Sequence, residues 1–181
     1  MASGKTEQQK YKVVRQEAEF EIRHYPSAVM ATVRMDETSY GDISGKGFRK
    51  LAGYIFGGNE SGTSIAMTAP VHMDISGKGS SMSFVMPSEW EYEKLPKPKD
   101  SSVILENSGE EYVAAIRFGG YASDASIRKY SDKLKQLLEQ HGIGWYGNFR
   151  FLGYNSPFQP LFRRNEIIVS VRWDKKLQQT D

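Results

Sequence analysis

Apolar and polar residues alternate from residue 19 to residue 24. Phe20, Ile22 and His24 fall on one side and Glu19, Glu21 and Arg23 on the other, the pattern of a half-buried strand. Pro26 and Ser27 predict a turn. Residues 28–35, rich in Val and Thr, predict the returning strand. The period then changes. Phe48, Leu51, Ile55 and Phe56 recur at i, i+3, i+7 and i+8, one apolar helical stripe. Gly45, Gly47 and Gly53 weaken that helix, each by about 1 kcal/mol relative to Ala in a helix interior. Gly57 and Gly58 end it. After a loop at 59–63, Ile65, Met67, Ala69, Val71, Met73 and Ile75 share one strand face, and Ala66, Thr68, His72 and Asp74 share the other. Pro70 inside this run marks an edge or a bulge. Residues 76–81 read as a hairpin-type turn, 82–86 as the next strand, and 87–102, with Pro87, Pro96 and Pro98, as a surface loop.

The second half repeats this order. Residues 102–106 and 112–118 read as strands. Ser123 is placed to cap a helix whose stripe is Ile127, Tyr130, Leu134, Leu137, Leu138 and His141, closed by Gly142. Strands follow at 149–154 and 166–173. The two helical stripes lie roughly 84 residues apart, about half a domain of ordinary size. Met67-Thr68-Ala69-Pro70-Val71 has a counterpart in Tyr154-Asn155-Ser156-Pro157-Phe158. Each half therefore reads strand, strand, helix, strand, strand. The expected fold is α+β, a mainly antiparallel sheet with two helices packed on it, and a cleft between such halves is a natural ligand site. Residues 11–173 form the expected domain, with 1–10 and 174–181 as tails.

Composition narrows the chemistry. The 181 residues carry 24 Lys+Arg and 22 Asp+Glu, so the net charge is +2, too small a field to attract nucleic acid. No run approaches the roughly 18 apolar residues of a membrane helix. Zero cysteines exclude a thiol nucleophile, a disulfide framework, an iron–sulfur cluster, a thiolate-ligated haem and a Cys-based zinc site. The polar start lacks the apolar segment of a signal peptide, so a cytoplasmic protein is expected.

Candidate reactive groups are few. Three histidines are too scattered for a metal site. His24 shares the apolar face of its strand, His72 lies on a polar face where water solvates it, and His141 ends a helix where a cation suits the macrodipole. Ser44-Gly45-Lys46-Gly47 recurs as Ser76-Gly77-Lys78-Gly79, but neither copy fits a phosphate loop. The second is turn chemistry; the first leads toward a helix N-terminus and a mild anion site. Glu91 and Glu93, and Glu110 and Glu111, read as solvated pairs. Glu166, just after Arg163, Arg164 and Asn165, reads as an ion pair holding the end of the sheet. No nucleophile, acid and base assemble, so no catalysis is expected. Phe48, Leu51 and Ile55 either pack on the sheet or line a surface for a flat apolar ligand, with Lys46 and Lys50 beside its carboxylates.

Several segments occur in a telling order: Glu21-Ile22-Arg23-His24-Tyr25-Pro26, Gly57 to Asn59, Ile65-Ala66-Met67-Thr68-Ala69-Pro70-Val71, Phe118-Gly119-Gly120-Tyr121-Ala122, Tyr154-Asn155-Ser156-Pro157 and Arg163-Arg164-Asn165-Glu166. Together they resemble the SOUL family of haem-binding proteins over about residues 11–173. The resemblance implies a distorted, mainly antiparallel β-barrel of two similar halves with two helices. It implies haem or a related tetrapyrrole lying against the first helix, among apolar side chains, with basic residues meeting the propionates. Carried over by position, two groove methionines of the family fall on Phe48 and Ala52. The three basic positions fall on or near Gly45, Gly53 and Gln159, none of which is basic. Lys46, Arg49 and Lys50 are the neighbouring substitutes. The expected site is thus Phe48, Leu51, Ala52 and Ile55 with Lys46, Arg49 and Lys50, and His24 is the candidate axial ligand. The expected role is carriage or buffering of a tetrapyrrole, without a structural metal. The alternative is a sensor for another amphipathic small molecule, resembling the effector-binding modules of transcription regulators. Oligomeric state stays open.

Overall fold

The structure is a computed structural model that describes residues 5–75, 78–155 and 161–174. In chain order its elements are β1 (Glu7–Gln8), β2 (Lys12–Gln16), β3 (Glu21–Tyr25), β4 (Val29–Met35), α1 (Tyr40–Ile55), β5 (Thr68–Ala69), β6 (Val71–Ile75), β7 (Ser80–Val85), β8 (Val103–Asn107), β9 (Glu111–Phe118), α2 (Asp124–Gln140), β10 (Trp145–Gly153) and β11 (Asn165–Val171). A short 3-10 turn, Tyr92–Lys94, interrupts the long loop before β8. The chain divides into two compact units, residues 1–9 with 27–109 and residues 10–26 with 110–181.

In the first unit the strands run β6-β7-β4-β8, all antiparallel. α1 covers the face that carries Val33, Met35, Met82 and Phe84, burying Ile43, Leu51, Tyr54 and Ile55 against it. Gly47 sets how closely helix and sheet approach. A Cβ there would meet Met35 Cε at 3.0 Å and Met82 Cβ at 3.0 Å. The Ser39 hydroxyl caps α1 by accepting from the Asp42 N–H at 3.2 Å. On the opposite sheet face the hydroxyls of Thr32 and Ser83 satisfy each other at 2.7 Å, both buried.

In the second unit the order is β2-β3-β9-β11-β10, again antiparallel. α2 packs on one face through Leu134, Leu137 and Leu138, and the Tyr130 ring stacks on Phe118 at 4.3 Å. Its start is a reciprocal box: the Ser126 N–H donates to the Ser123 hydroxyl at 3.1 Å, and the Ser123 N–H donates to the Ser126 hydroxyl at 2.8 Å. Gly142, at φ 65°, ends it in the left-handed region. The other face carries a buried cluster of Tyr25, Val113, Ala115, Leu152 and Ile168, with Tyr11 and Tyr154 packed against it.

The α+β class and the mainly antiparallel pairing are as expected. Among the described residues the strands are not closed into a hydrogen-bonded ring, so the barrel is distorted and open. The pairing of strands differs from the sequential halves. β3 and β4 do not form a hairpin. β3 pairs with β9 in the second unit (Ile22 opposite Ala114), and β4 pairs with β8 in the first (Met30 opposite Glu106). Pro26-Ser27 lacks the residue at positive φ that a two-residue hairpin loop demands. Each half thus lends one strand to the unit of the other.

Other differences have local causes. Pro70 cannot donate to a ladder, and it splits the long run at 65–75: β5 pairs parallel with β1, β6 antiparallel with β7, and the Ala69–Pro70 peptide is cis. Residues 7–8 are therefore strand rather than tail, and the Gln9 N–H donates to the Ala69 carbonyl at 2.8 Å. β2 went unpredicted because most of its residues are exposed and show no alternation. Ser44-Gly45-Lys46-Gly47 lies inside α1, not at its N-terminus, and so offers no anion site of that kind. Ser76 and Gly77 of the repeated motif, and Ser156, Pro157, Phe158 and Gln159, lie outside the described residues, as does most of the expected C-terminal tail.

Candidate functional site

The expected site residues on α1 separate onto three faces of the helix. Leu51 and Ile55, 0% and 1% exposed, are core residues that hold the helix on the sheet, so they do not line a groove. Phe48 and Phe56 point outward, 44% and 68% exposed, and Ala52 lies between them at 8%. Phe56 directly follows the helix and continues its ladder, its N–H donating to the Ala52 carbonyl at 3.0 Å. At about 100° per residue, Phe48, Ala52 and Phe56 fall within about 80° of one another, with Gly41 and Gly45 in the same sector. The two rings are eight residues apart, about 12 Å along the axis. The Phe48 ring is braced from below by Phe84, centroid to centroid 5.5 Å.

The glycines make this flank flat. Unlike Gly47, neither Gly45 nor Gly53 would meet any atom within 4 Å if it carried a Cβ. Packing does not require them. Arg49, exposed, borders the same flank, about 20° round from Phe56. Phe56 stood with Phe48 in the apolar stripe but was not among the expected site residues; its spacing of four from Ala52 and eight from Phe48 was the signal that it shares their flank.

Lys46 and Lys50 lie elsewhere. Both fall about 160° round the helix from Phe48. The Lys46 ammonium donates to Glu37 Oε1 at 2.6 Å, and Lys50 donates to the Ser102 hydroxyl at 3.0 Å. The Lys46 hydrogen bond holds the Glu37 carboxyl below its ordinary range. With Arg34, Asp36, Asp74 and Lys78 they line a polar groove of about 490 Å³.

The histidines are each engaged in their own unit. His24, at the end of β3, is partly exposed, with Nε2 3.4 Å from Glu110 Oε2 and its ring 4.9 Å from that of Tyr112. His72 was expected to be solvated; its Nε2 lies 2.7 Å from Gln9 Oε1, a contact that strand β1 creates. His141 Nδ1 lies 2.8 Å from the Leu137 carbonyl at the end of α2, as its helix-terminal position implied. Among the described residues no three His, Cys, Asp or Glu side chains converge as a metal site.

Glu166 is the centre of a buried ion network in the second unit. It is 0% exposed, and its partner Arg23 is 3% exposed although the alternation placed Arg23 on the polar face. Arg23 grips the carboxylate with both terminal nitrogens, at 2.7 and 2.6 Å, and donates through Nε to Glu21 at 2.6 Å. Arg164 adds Nη2 to Glu166 Oε2 at 3.0 Å and donates to the Tyr11 hydroxyl at 2.9 Å. The Arg23 guanidinium lies over the Tyr11 ring at 4.1 Å, and that of Arg164 over Tyr154 at 3.9 Å. Burial alone would raise the Glu166 pKa; hydrogen bonds and charge from Arg23 and Arg164 overcome it and hold it below the ordinary carboxylate value. Burial, eased by Arg23, pushes the Tyr25 hydroxyl up to about 12. A groove of about 530 Å³ opens beside this network. Glu111, expected to be solvated, is held by Arg150 at 3.0 Å and by the Ser170 hydroxyl at 2.9 Å, because it lies on the same face of the sheet.

Comparison with known proteins gives the chain its family. The SOUL heme-binding protein family matches residues 6–170. The chain belongs to this family. Heme-binding protein 2 of Mus musculus is 33% identical over 161 residues, covering 84% of this chain and 78% of that one. Heme-binding protein 1 of Sus scrofa is 27% identical over 160 residues, covering 84% of each. Among solved structures, the EcmrR C-terminal domain superposes on this SOUL chain with a TM-score of 0.67 at 10% identity, covering 91% of this chain and 99% of that one. That likeness concerns the fold alone. No helix among the described residues is long and apolar enough to cross a membrane.

Proposed function

We propose that the chain binds haem or a related tetrapyrrole on the outer flank of α1 and acts as a carrier or buffer rather than an enzyme. One observation carries this reading. Two exposed rings, Phe48 and Phe56, flank the small, buried Ala52 on a side of the helix bordered by Gly45 and Gly53, glycines that packing does not require. Family membership supplies the ligand class. The bound macrocycle would supply flat apolar area, contributing about 25 cal/mol per Å² removed from water before the losses of association. Phe48 and Phe56 would clasp its two edges, Ala52 and Gly45 would let the ring approach the backbone, and Arg49 would meet a carboxylate. Lys46 and Lys50, on the far flank and already hydrogen-bonded, are left out. None of the residues on this flank is a histidine, so the residues present fit the ring and offer its metal no axial ligand.

The test is a titration of the protein with haemin and with metal-free protoporphyrin IX. Both are expected to bind with similar affinity. Phe48→Asp and Phe56→Asp are each expected to weaken both by at least about tenfold, since a charge is desolvated against the ring. Their melting temperatures should stay near that of the parent. His24→Ala should leave both affinities unchanged; loss of haemin binding alone would replace the flank with axial ligation. Stabilisation by other amphipathic molecules, with none by either porphyrin, would put the sensor reading in its place.

A further inference from the structure

The second unit carries an apolar tip at one end of its sheet. β9 finishes at Phe118, opposite Asn165, where β11 begins. Two segments meet there: residues 119–123, which lead into α2, and residues 161–164, which lead into β11. They are tied together. The Asn165 side-chain amide donates to the Gly120 carbonyl at 2.7 Å, Arg163 Nε donates to the same oxygen at 3.3 Å, and the Arg163 guanidinium lies over the Tyr121 ring at 4.2 Å. The two segments turn three large apolar side chains to water: Tyr121 is 57% exposed, Leu161 67% and Phe162 94%. Among the described residues Phe162 is the one non-glycine at positive φ, 55°, a conformation that is unfavourable for a bulky side chain. Its ring gains no packing in return.

The surroundings are basic. Residues 117–131 and 161–165 contain Arg117, Arg128, Lys129, Arg163 and Arg164 against one acid, Asp124. Arg164 is held by Glu166 and Lys129 lies over the Tyr130 ring. Arg117 and Arg128 are exposed and make no ion pair or hydrogen bond among the described residues. The acids that share a groove with Arg117 already have cations of their own: Glu19 has Lys133, Glu21 has Arg23, and Glu166 has Arg23 and Arg164. The tip is therefore apolar in front and cationic behind.

We infer that this end of the second unit docks on an anionic lipid surface. Leu161 and Phe162 enter the boundary between headgroups and acyl chains, Tyr121 sits at headgroup level, and Arg117, Arg128 and Arg163 meet the anionic headgroups. A protein partner is the poorer fit. A stable protein interface buries about 800 Å² on each side, whereas this tip offers three side chains on two short segments. A ring that is almost wholly exposed suits a medium it can enter. The inference is independent of where a tetrapyrrole binds.

The experiment is co-sedimentation of the full chain with vesicles of phosphatidylcholine and phosphatidylserine in equal parts, against vesicles of phosphatidylcholine alone. Binding is expected to the mixed vesicles, to be much weaker to the neutral ones, and to fall as salt is added. Phe162→Asp should weaken it by at least about tenfold, the scale of losing one buried Phe side chain, and Arg128→Gln by about fivefold. Phe162→Gly separates function from fold: it removes the ring and relieves the backbone, so vesicle binding should fall while the melting temperature rises. Equal binding to both kinds of vesicle, binding to neither, or binding that Phe162→Asp leaves unchanged would overturn the inference. Self-association of the parent that Phe162→Asp abolishes, without vesicle binding, would make the tip a contact between copies instead. Loss of porphyrin binding in Phe162→Asp, with vesicle binding intact, would give the tip to the ligand site.

Discussion

α1 and α2 hold the same position in their two units. Each follows a central strand and packs on an antiparallel sheet. Their compositions are opposed. α2 contains no glycine, opens on a reciprocal serine box, and carries Arg128, Lys129, Asp132, Lys135 and Glu139 outward. α1 contains four glycines and turns phenylalanine to solvent at Phe48, with Phe56 just beyond it. One of those glycines, Gly47, is needed for close packing; Gly45 and Gly53 are not. A helix that gives up about 1 kcal/mol at each such position without a packing gain is shaped for something other than its own stability. The sheets differ in the same sense. Among its buried polar side chains the first unit pairs two neutral hydroxyls, Thr32 and Ser83, and ties Asn59 and Thr68 to backbone carbonyls, whereas the second buries Arg23 and Glu166 as ions. One unit presents a surface; the other is locked by charge.

The strongest way to break this contrast is Arg23→Ala. It strands the Glu166 carboxylate without its main partner and should cost about 3–5 kcal/mol in urea denaturation. The same pair gives a pH signature. The folded Glu166 pKa is held below its ordinary value of 4.5, so the unfolded chain takes up the proton first. The stabilisation is present above that value and is lost as pH falls through it toward the depressed folded value. In Arg23→Leu/Glu166→Leu this part of the acid slope should vanish, with a smaller loss of stability at neutral pH than Arg23→Ala shows.

Next in size is Gly47→Val, which pushes α1 off Met35 and Met82 and should destabilise by about 1–3 kcal/mol. The smallest effects are the sharpest for the comparison, because their signs oppose. Gly45→Ala and Gly53→Ala should each raise stability by up to about 1 kcal/mol, and Ser123→Ala in α2 should lower it by about 1 kcal/mol. Thermal melts of the three variants decide this. A loss of stability at Gly45→Ala would show that the glycine serves the fold after all.

Much of this was legible in the residues themselves. The change from period two to period 3.6 and back marked both helices and most strands. Gly142 and Ser123 marked the ends of α2, and the order of short segments marked the family. The run Arg163-Arg164-Asn165-Glu166 announced an ion pair at the sheet's end, but its main partner, Arg23, is 143 residues away. Alternation on β3 labelled Arg23 as polar and therefore outward. That inference fails when both faces of a strand are buried, since periodicity then reports which residues share a face and not which face meets water.

What the sequence by itself determined was local: element type, helix ends, and the small, flat and apolar character of α1. What only the tertiary structure decided was partnership. It exchanged β3 and β8 between the halves, split a long strand at Pro70 so that residues 7–8 pair with Thr68 and Ala69, and sorted one helix's apolar residues into Leu51 and Ile55 inside and Phe48 and Phe56 outside. The physical reason is common to all three. Backbone pairing and the facing of a broad apolar sector are settled by contacts between segments far apart in the chain, and the free energy of those contacts is not written in the spacing of either segment alone.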